Sequence, residues 1–507
     1  MTALRKINRY AWIALLGIIV SFGVNQVNLN ILRDHADADK HLRNHQTIIT
    51  ADDASYLRPA ANFLDGNSWK THDAGRQSYF FRTPGYGLIW FFMLLSFGTH
   101  ALTALKIFQV VLFGISVYLL GRSMQLLRIP PLVSMTALIL YAISPIFYGF
   151  LFYTLTEGIT PQLSVIFVYL LLKAFHEEKS DTRYFLLAAL LLGFMIIVRP
   201  ALGIWLPALL FTLWKKMDRH RKPLRLHTMV MALLLALIPL FGWQLRNFII
   251  TGTYTGLHPV YFPEKTGVFR PPHKAAWNFF KGWGTTGEQF HSIMVPFWEA
   301  IVEGRSDSLE RQNIIQQIPR EFYESNQEKV HETLALFRLS IENQIPYIEL
   351  GKPMPMQLHH VEERTIENFR KLARSYRRHH PLQYYLLAPV SVLEEMILHS
   401  NLSLYMFQHT FRGQPAMEAL RILMAVFHIS LFAGILFMIF SKRPFVLKII
   451  LAITPLMWIL YLAWIQRGIE ERYMLPFLAV MLMGLFFSLH RDKGMRESRK
   501  VRNENKK

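Results

Sequence analysis

Long apolar runs alternate with short polar connections along most of this 507-residue chain. A helix that crosses the hydrocarbon core of a bilayer needs about 20 consecutive apolar residues, and several of these runs approach that length. The pattern therefore predicts an all-α polytopic membrane protein with about ten transmembrane helices. The runs cover residues 10–29, 103–121, 131–149, 158–174, 184–198, 201–214, 227–247, 417–440, 446–464 and 471–490.

The distribution of Lys and Arg predicts the orientation of these helices. Basic residues gather at 122–128, at 215–225, where six stand against Asp218 alone, at 442–448 and in the tail 491–507. The positive-inside rule places these connections, together with both termini, in the cytoplasm. An eleventh span at residues 84–97 would reverse those sides. That stretch is therefore predicted to be a juxtamembrane or re-entrant helix. An additional crossing at 381–398 is rejected for the same reason.

Ten spans leave two large segments on the extracytoplasmic side. We predict a seven-span module over residues 1–247, which includes a first external loop at 30–102. A large, mostly helical external loop follows at 248–416, with amphipathic helices expected at 320–345 and 361–378. Three spans at 417–490 and the basic tail 491–507 complete the chain.

The composition agrees with a membrane protein and excludes several other classes. Only 18% of the residues are charged and 52% are hydrophobic, whereas about a quarter of the residues in a soluble domain are charged. The chain contains no Cys, which excludes disulfides, thiol nucleophiles and cysteine metal clusters. The net charge of +20 is explained by basic cytoplasmic loops and contacts with anionic lipid rather than by nucleic acid.

Asp52 and Asp53 are the first candidates for chemistry. They precede a stretch in which Tyr56, Ala60 and Phe63 recur at helical spacing, so a helix is expected to begin near the pair. Carboxylates are common at helix N-termini because the free N–H groups stabilise negative charge. The alternative is a general base or ligand held at the membrane surface, next to an Arg and a Pro-Gly turn at 82–86.

Further charged residues occur at the outer ends of the predicted spans. Each alone is compatible with a residue that reaches from the helix to the interface, but four separate loops contribute to the same side. Arginine binds phosphate with two hydrogen bonds at once, so a lipid phosphate is the expected ligand. The residues are Glu157, Arg199, Arg246, Arg467, Glu470, Glu471 and Arg472.

Other chemical signals are weaker. The pairs His359-His360 and His379-His380 match no standard metal-site spacing and are expected to be solvated. No P-loop, dinucleotide-binding fingerprint or nucleophile elbow occurs in the sequence, which makes a nucleotide-driven cytoplasmic reaction a poor fit.

Six short motifs lie around the candidate residues. They are D-D-A-S-Y-L-R-P-A-A-N-F-L-D-G at 52–66, F-R-T-P-G-Y-G at 81–87, T-E-G at 156–158, V-R-P-A-L-G at 198–203, R-N-F-I-I-T-G at 246–252 and E-R-Y-M-L-P at 471–476. Together they resemble the GT-C superfamily of integral-membrane glycosyltransferases, in the branch that includes protein O-mannosyltransferases and aminoarabinose transferases. The resemblance covers the first seven spans and the last external turn, and the long loop 248–416 carries little of it.

The resemblance implies an inverting transfer of a sugar from a polyprenyl-phosphate donor to a hydroxyl of a glycan, lipid or protein acceptor. Asp52 matches the family's catalytic base, with Asp53 adjacent. The substrate- or phosphate-binding residues would be Tyr56, Arg82, Tyr86, Glu157, Arg199, Arg246, Glu471 and Arg472. Some relatives use a divalent metal, Mg²⁺ or Mn²⁺, for which Asp52, Asp53 and Glu157 would be the ligands. Gly87 replaces the family's usual Pro, which would allow a looser turn there.

Two alternatives remain open at the level of sequence. A transporter or flippase for lipid-linked sugars would suit the spans and the intramembrane charges, although no pair of matching halves is visible. A polysaccharide polymerase or ligase would instead rely on Arg and His in the long loop. In each case the protein is expected in a bacterial inner membrane, with the active site outside the cytoplasm.

Overall fold

The chain folds almost entirely into helices, and each predicted apolar run forms helical structure. The computed structural model describes residues 9–35, 41–50, 52–66, 69, 71–73, 77–80, 82–176, 182–216, 222–251, 260–261, 271–284, 314–349, 357–398, 402, 404–467 and 471–490. The basic tail 491–507 and the central part of the long loop, 285–313, lie outside the described residues.

Within the described residues, the N-terminal half contains ten α-helices. They are α1 (Arg9–Arg33), α2 (Asp53–Leu64), α3 (Gly85–Phe97), α4 (Ala101–Leu126), α5 (Pro131–Ile143), α6 (Pro145–Tyr148), α7 (Thr160–His176), α8 (Arg183–Val198), α9 (Leu206–Lys216) and α10 (Lys222–Thr251).

The described part of the C-terminal half adds nine. They are α11 (Pro271–Phe280), α12 (Arg320–Glu342), α13 (Ile345–Glu349), α14 (His360–His379), α15 (Ala388–Leu398), α16 (Pro415–Phe440), α17 (Phe445–Lys448), α18 (Thr454–Leu460) and α19 (Leu475–Leu489). Short π-helical segments precede α15 at Gln383–Leu387 and join α17 and α18 at Ile449–Ile453.

The expected count of ten membrane spans is not confirmed. Within the described residues, six helical stretches are long and apolar enough to cross a membrane: Arg9–Arg33, Gly85–Leu126, Leu226–Ile249, Pro415–Phe440, Phe445–Gln466 and Arg472–Leu489. Helices α5, α7 and α8 are apolar but have only 10–17 residues. At 1.5 Å per residue a 17-residue helix is about 25 Å long, short of the ~30 Å hydrocarbon core. The run at 201–214 is broken by a 3₁₀ turn at Pro200–Trp205.

One large core holds the apolar helices together. Helix α1 packs on α4 and α5, while α7 lies between α4, α8 and α19. Helix α8 packs on α10, and α16 packs on α19. Helix α10 keeps a row of large apolar side chains exposed, as expected of a helix that faces lipid.

A second cluster of buried residues lies within the segment predicted as the long external loop. Helices α11, α12 and α14 pack on one another there, which confirms the helices expected at 320–345 and 361–378. Their apolar faces meet because buried residues recur every three or four positions, as in an amphipathic helix. The core of this α11–α12–α14 cluster is rich in Phe: Phe279, Phe280, Phe322, Phe337 and Phe369.

Short strands in the described loops form two small sheets. Strands β1 (Leu42–Arg43) and β2 (Thr47–Ile48) form a hairpin, and Ile48 also bridges to Tyr153. Strands β3 (Thr71–Asp73), β4 (Gln77–Phe80) and β5 (Val260–Tyr261) form an antiparallel sheet in the order β3-β4-β5. This sheet brings the loop that precedes α3 next to the segment that follows α10.

Candidate active site

Asp52 occupies the N-cap position of α2, but its side chain does not cap the helix. One carboxylate oxygen, Oδ1, accepts a hydrogen bond from Arg82 Nη2 at 2.6 Å, and the other, Oδ2, accepts one from Arg472 Nη2 at 2.9 Å. The Asp52 side chain is 31% exposed. The carboxylate therefore links two guanidinium groups that are 390 positions apart in the sequence (472 − 82), and solvent still reaches it.

Asp53 points into the protein and has different partners. Its carboxylate accepts hydrogen bonds from Nε and Nη2 of Arg43 at 2.9–3.1 Å and from the Thr154 hydroxyl at 3.0 Å. Its side chain is only 5% exposed. The β1–β2 hairpin and the Ile48–Tyr153 bridge carry Arg43 and Thr154 to this place.

A second carboxylate extends the charged group that begins at Asp52. Glu157 lies in the 3₁₀ helix Thr156–Gly158, and its side chain is 4% exposed. Its Oε1 accepts a hydrogen bond from Arg199 Nη1 at 2.8 Å and lies 3.8 Å from Arg472 Nε. Arg472 thus bridges Asp52 and Glu157. We call Arg82, Asp52, Arg472, Glu157 and Arg199 the Asp52 network.

The Asp52 network carries a formal excess of positive charge, because three guanidiniums and two carboxylates sum to +1 (3 − 2). Burial raises the pKa of the Asp52 carboxyl, but Arg82 and Arg472 outweigh that effect and leave it below its ordinary value. The pKa of Glu157 is also lowered: burial raises it, and Arg199 and Arg472 lower it further than burial raises it. Both carboxylates are therefore ionised at neutral pH, and the excess charge favours an anionic ligand.

Two tyrosines line one side of the network. The Tyr56 ring meets the Tyr86 ring edge-on at 5.6 Å between centroids, and the Arg82 guanidinium lies over Tyr56 at 5.0 Å. Tyr86 is fully buried, and its hydroxyl has no hydrogen-bond partner within the described residues.

Glycines allow α3 to approach these residues closely. A Cβ at Gly85 would lie 2.5 Å from the backbone nitrogen of Val198, the residue before Arg199. A Cβ at Gly87 would lie 2.9 Å from the Trp69 ring and 3.1 Å from the Tyr56 carbonyl oxygen. The turn at Gly87 is therefore tightly packed, contrary to the expectation that Gly in place of Pro would loosen it.

The turn that carries Arg472 is held by aromatic side chains. The Phe477 ring stacks between Trp205 at 5.3 Å and Trp458 at 5.5 Å. Trp458 Nε1 also donates a hydrogen bond to the Tyr473 carbonyl at 3.0 Å. The Arg199 guanidinium lies over the Tyr473 ring at 5.1 Å. Helix α19 and the turn before it are thus fixed relative to Arg199.

The two remaining predicted residues are placed differently. Arg246 donates hydrogen bonds to the Trp69 carbonyl at 2.8 Å and to Asn247, and it lies over the Trp243 ring at 4.5 Å. Its position is thus beside the Trp69 ring that packs on Gly87. Glu471 begins the 3₁₀ helix Glu471–Met474, and its side chain lies outside the described residues.

Sequence reasoning missed Arg43, Thr154 and Tyr473. Nothing in the sequence around Arg43 distinguishes it from other loop arginines, because its role depends on the β1–β2 hairpin. Thr154 lies two residues before the T-E-G motif, and Tyr473 lies inside E-R-Y-M-L-P. Proximity to those motifs was the available signal for these two residues.

The predicted carboxylate ligands do not form a metal site in this arrangement. Asp52 and Glu157 both contact Arg472, whereas Asp53 binds Arg43 on its own. Among the described residues, no group of three His, Asp or Glu side chains is placed to hold a metal ion. Guanidinium groups occupy the oxygens that a cation would need, so we derive no step through a metal. The metal requirement remains a prediction.

The two histidine pairs have structural partners. The His359 side chain accepts a hydrogen bond from the Val361 backbone at the start of α14, where Glu362 completes a capping box. At the other end, His379 Nδ1 bonds the Ser375 carbonyl at 2.9 Å, and His380 stacks on Tyr376. These contacts stabilise the ends of α14.

A comparison with known protein families finds a match to part of the chain. A family model described as dolichyl-phosphate-mannose-protein mannosyltransferase matches residues 84–243. The matched segment begins just before α3 and ends within α10, and it contains Glu157 and Arg199. Asp52, Arg82 and Arg472 lie outside it. No curated protein sequence matches the chain significantly.

Two solved structures resemble the chain at low similarity. Both are crystal structures of ArnT from Cupriavidus metallidurans. The one bound to undecaprenyl phosphate is 12% identical with a TM-score of 0.34, and the alignment covers 95% of this chain and 76% of ArnT. The apo structure is 13% identical with a TM-score of 0.32, at 93% and 77% coverage. The family match over 84–243 confirms the resemblance to GT-C membrane glycosyltransferases that the motifs indicated.

Proposed function

We propose that this protein is a membrane glycosyltransferase that moves a sugar from a polyprenyl-phosphate donor to an acceptor hydroxyl. The observation that carries the proposal is the Asp52 network. Arg82 and Arg472 bind the partly exposed Asp52 carboxylate, and Arg199 binds the adjoining Glu157. A sugar on a lipid phosphate offers matching chemistry. Its lipid enters the bilayer, and its phosphate meets Arg82, Arg199 and Arg472.

In this proposal Asp52 is the general base. Its Oδ atom takes the proton of the acceptor hydroxyl while that oxygen forms a bond to the anomeric carbon. The bond between the anomeric carbon and the phosphate oxygen breaks, and the electron pair leaves with the polyprenyl phosphate. One displacement inverts the anomeric configuration. General-base catalysis of this kind contributes roughly 10²–10⁴-fold.

The arginines connect donor binding to the strength of the base. In the free protein, Arg82 and Arg472 hold the pKa of Asp52 below its ordinary value. A donor phosphate competes for the same guanidiniums and so weakens their hold on the carboxylate. The pKa of Asp52 then rises toward that of an ordinary carboxyl, which makes it a better proton acceptor when the donor is in place. The same guanidiniums stabilise the charge that develops on the leaving phosphate.

Asp53 has a structural role in this proposal. Its carboxylate is buried and already accepts hydrogen bonds from Arg43 and Thr154, so a substrate hydroxyl would have to displace them. Asp52 is more exposed and faces the cationic side. The positive-inside pattern supports a site on the extracytoplasmic side, and we propose a bacterial inner membrane and a glycan, lipid or protein hydroxyl as the acceptor.

The test is release of polyprenyl phosphate from a panel of polyprenyl-phosphate sugars by the purified protein, with membrane extract as the source of acceptor. Wild type is compared with Asp52→Asn and with Asp53→Asn as the matched control. We expect turnover to be lost in Asp52→Asn and kept in the folded fraction of Asp53→Asn. Loss in Asp53→Asn alone, in folded protein, would reassign the base. Inert donors across the panel, together with movement of intact lipid-linked sugar across vesicles, would overturn the proposal.

A further inference from the structure

The segment after α14 exposes an apolar face that no described helix covers. Leu382, Tyr385, Leu386 and Val390 are all exposed. Leu387 between them is exposed as well, so these side chains form one apolar surface on the helical segment that leads into α15. The buried residues of α15 include Val392 and Met396, and α15 packs on α16. This apolar face therefore points away from the protein.

Hydrogen bonds place this face at the end of a membrane-spanning helix. Trp464 Nε1 donates to the Tyr385 carbonyl at 3.0 Å, and Arg467 Nη2 donates to the Tyr384 carbonyl at 2.6 Å. Trp464 belongs to the last turn of the candidate span Phe445–Gln466. Trp and Tyr are enriched where hydrocarbon meets the headgroups. The exposed apolar face thus lies at the height of the membrane boundary.

A basic surface reaches the same boundary from α14. Five exposed cationic residues lie within about 120° of one another around the helix, at 3.6 residues per turn: Arg370, Lys371, Arg374, Arg377 and Arg378. Lys371 forms an ion pair with Glu367 at 2.8 Å, and the sequence from 368 to 380 contains no acidic residue. The Arg377 guanidinium lies over the Tyr384 ring at 5.6 Å, which joins the basic and apolar surfaces.

We propose that these two surfaces form a lipid-docking surface for anionic phospholipids. The apolar residues enter the acyl region, and the cationic residues of α14 bind the headgroup phosphates above them. Charge complementarity and an apolar face at the membrane boundary are the two features of interfacial helices that bind anionic lipid. The docked surface holds the α11–α12–α14 cluster down on the bilayer. This inference concerns lipid binding and does not depend on the proposed reaction.

The absence of Cys allows a direct test of the apolar half in the full-length protein. A spin label at Leu386→Cys is compared in nanodiscs with one at Leu339→Cys, an exposed leucine on α12. We expect the label at 386 to be accessible to oxygen and protected from a nickel chelate, as in hydrocarbon, and the label at 339 to show the reverse. A label at 386 that is open to the nickel chelate, or shielded from both reagents by a second protein copy, overturns the proposal.

The cationic half is tested by energy transfer from a fluorophore at Leu386→Cys to headgroup-labelled phosphatidylglycerol or phosphatidylcholine. We expect phosphatidylglycerol to be enriched, by about five-fold for each basic residue that engages a headgroup, and high salt to remove the enrichment. The triple variant Arg370→Gln/Arg374→Gln/Arg378→Gln should lose it. The control Arg320→Gln/Arg338→Gln/Arg364→Gln removes the same charge elsewhere in the cluster and should keep it. Equal transfer to both lipids in the wild type contradicts the proposal.

Discussion

Asp52 and Asp53 are neighbours in the sequence, yet they belong to two regions with different properties. The Asp53 region consists of a nearly buried carboxylate, Arg43 and Thr154, and its formal charge is zero. The Asp52 network draws its members from the first loop, the α6–α7 connection, the end of α8 and the turn before α19. It has excess positive charge and is open to solvent at Asp52.

From this difference we expect the Asp53 region to stabilise the fold and the Asp52 network to bind the substrate. The Asp53 carboxylate is nearly buried and already bound to Arg43 and Thr154, so it offers little to a ligand, but removing Arg43 leaves an uncompensated charge. A network with an extra cation and an exposed carboxylate attracts an anion and gives it access. The two regions therefore predict opposite responses to substitution: loss of activity in one and loss of stability in the other.

The largest expected effect is on turnover in Asp52→Asn. Asn keeps the size and the carbonyl oxygen of Asp but accepts no proton, so kcat should fall by about 10²–10⁴-fold. The thermal unfolding temperature should change little, because the side chain is partly exposed. Steady-state release of polyprenyl phosphate and a thermal shift assay measure the two quantities. Wild-type turnover in a folded Asp52→Asn protein would break the proposed contrast.

Arg43→Ala is the corresponding change in the Asp53 region. It leaves the nearly buried Asp53 carboxylate without its cation, and the free energy of unfolding should fall by about 3 kcal/mol. This is the lower end for a buried pair, because Arg43 is itself 34% exposed. Denaturation in mild detergent measures the loss. Turnover per folded molecule should stay close to wild type, and a selective loss of kcat would mean that Asp53 takes part in the reaction.

Arg472→Gln tests the bridge between the two carboxylates of the Asp52 network. Removal of one donor that stabilises transition-state charge typically lowers kcat by about 10²–10³-fold, and we expect a loss near the lower figure because Arg82 and Arg199 remain. Arg338→Gln is the control, since Arg338 forms an exposed ion pair with Glu342 within α12. Its turnover should remain within about two-fold of wild type, as is typical for a surface pair.

The pH dependence of kcat/KM tests whether Arg472 lowers the pKa of Asp52. In the proposed reaction Asp52 acts as the carboxylate. Its pKa is held below the ordinary value near 3.9, so turnover should not fall as the pH drops from 8 to about 5. Arg472→Gln removes one of the two cations that oppose the effect of burial. The pKa of Asp52 then rises, and the acid limb of the kcat/KM profile moves to higher pH. Arg43→Ala should leave that limb where it is.

The sequence was sufficient to predict the helices and to name the five members of the Asp52 network, although not which of them contact one another. Each apolar run encodes its helix locally, which is why the ten expected helical runs are found. The count of ten spans is not confirmed, because a 3₁₀ turn at Pro200–Trp205 covers the start of one run and three other helices are short. Asp52, Arg82 and Arg472 were recognisable because each lies in a short motif.

The different partners of Asp52 and Asp53 could not be predicted from the sequence. Both residues satisfy the pattern of a carboxylate at a helix start, and their partners are set by distant backbone. Arg43 reaches Asp53 through a hairpin in which Asn44 and His45 adopt positive φ angles of 49° and 54°. Neither residue type requires that conformation, so the turn and the ion pair that depends on it leave no clear signal in the sequence.

The smallest expected effect is that of Gly87→Ala, where α3 approaches Trp69 and Tyr56 closely. The added methyl group would lie 2.9 Å from the Trp69 ring and 3.1 Å from the Tyr56 carbonyl, so one of them must shift. Overpacking of this kind costs about 1–3 kcal/mol, and here the Trp69 ring is only partly buried and can move. Movement of Tyr56 would disturb its contact with Arg82, and KM for the donor should rise a few-fold with kcat nearly unchanged. Gly203→Ala, where a Cβ meets its nearest neighbour, Ile196, only at 3.8 Å, is the control and should leave KM unaltered. A fall in kcat without a change in KM would show that Tyr56 positions the reacting groups rather than the donor.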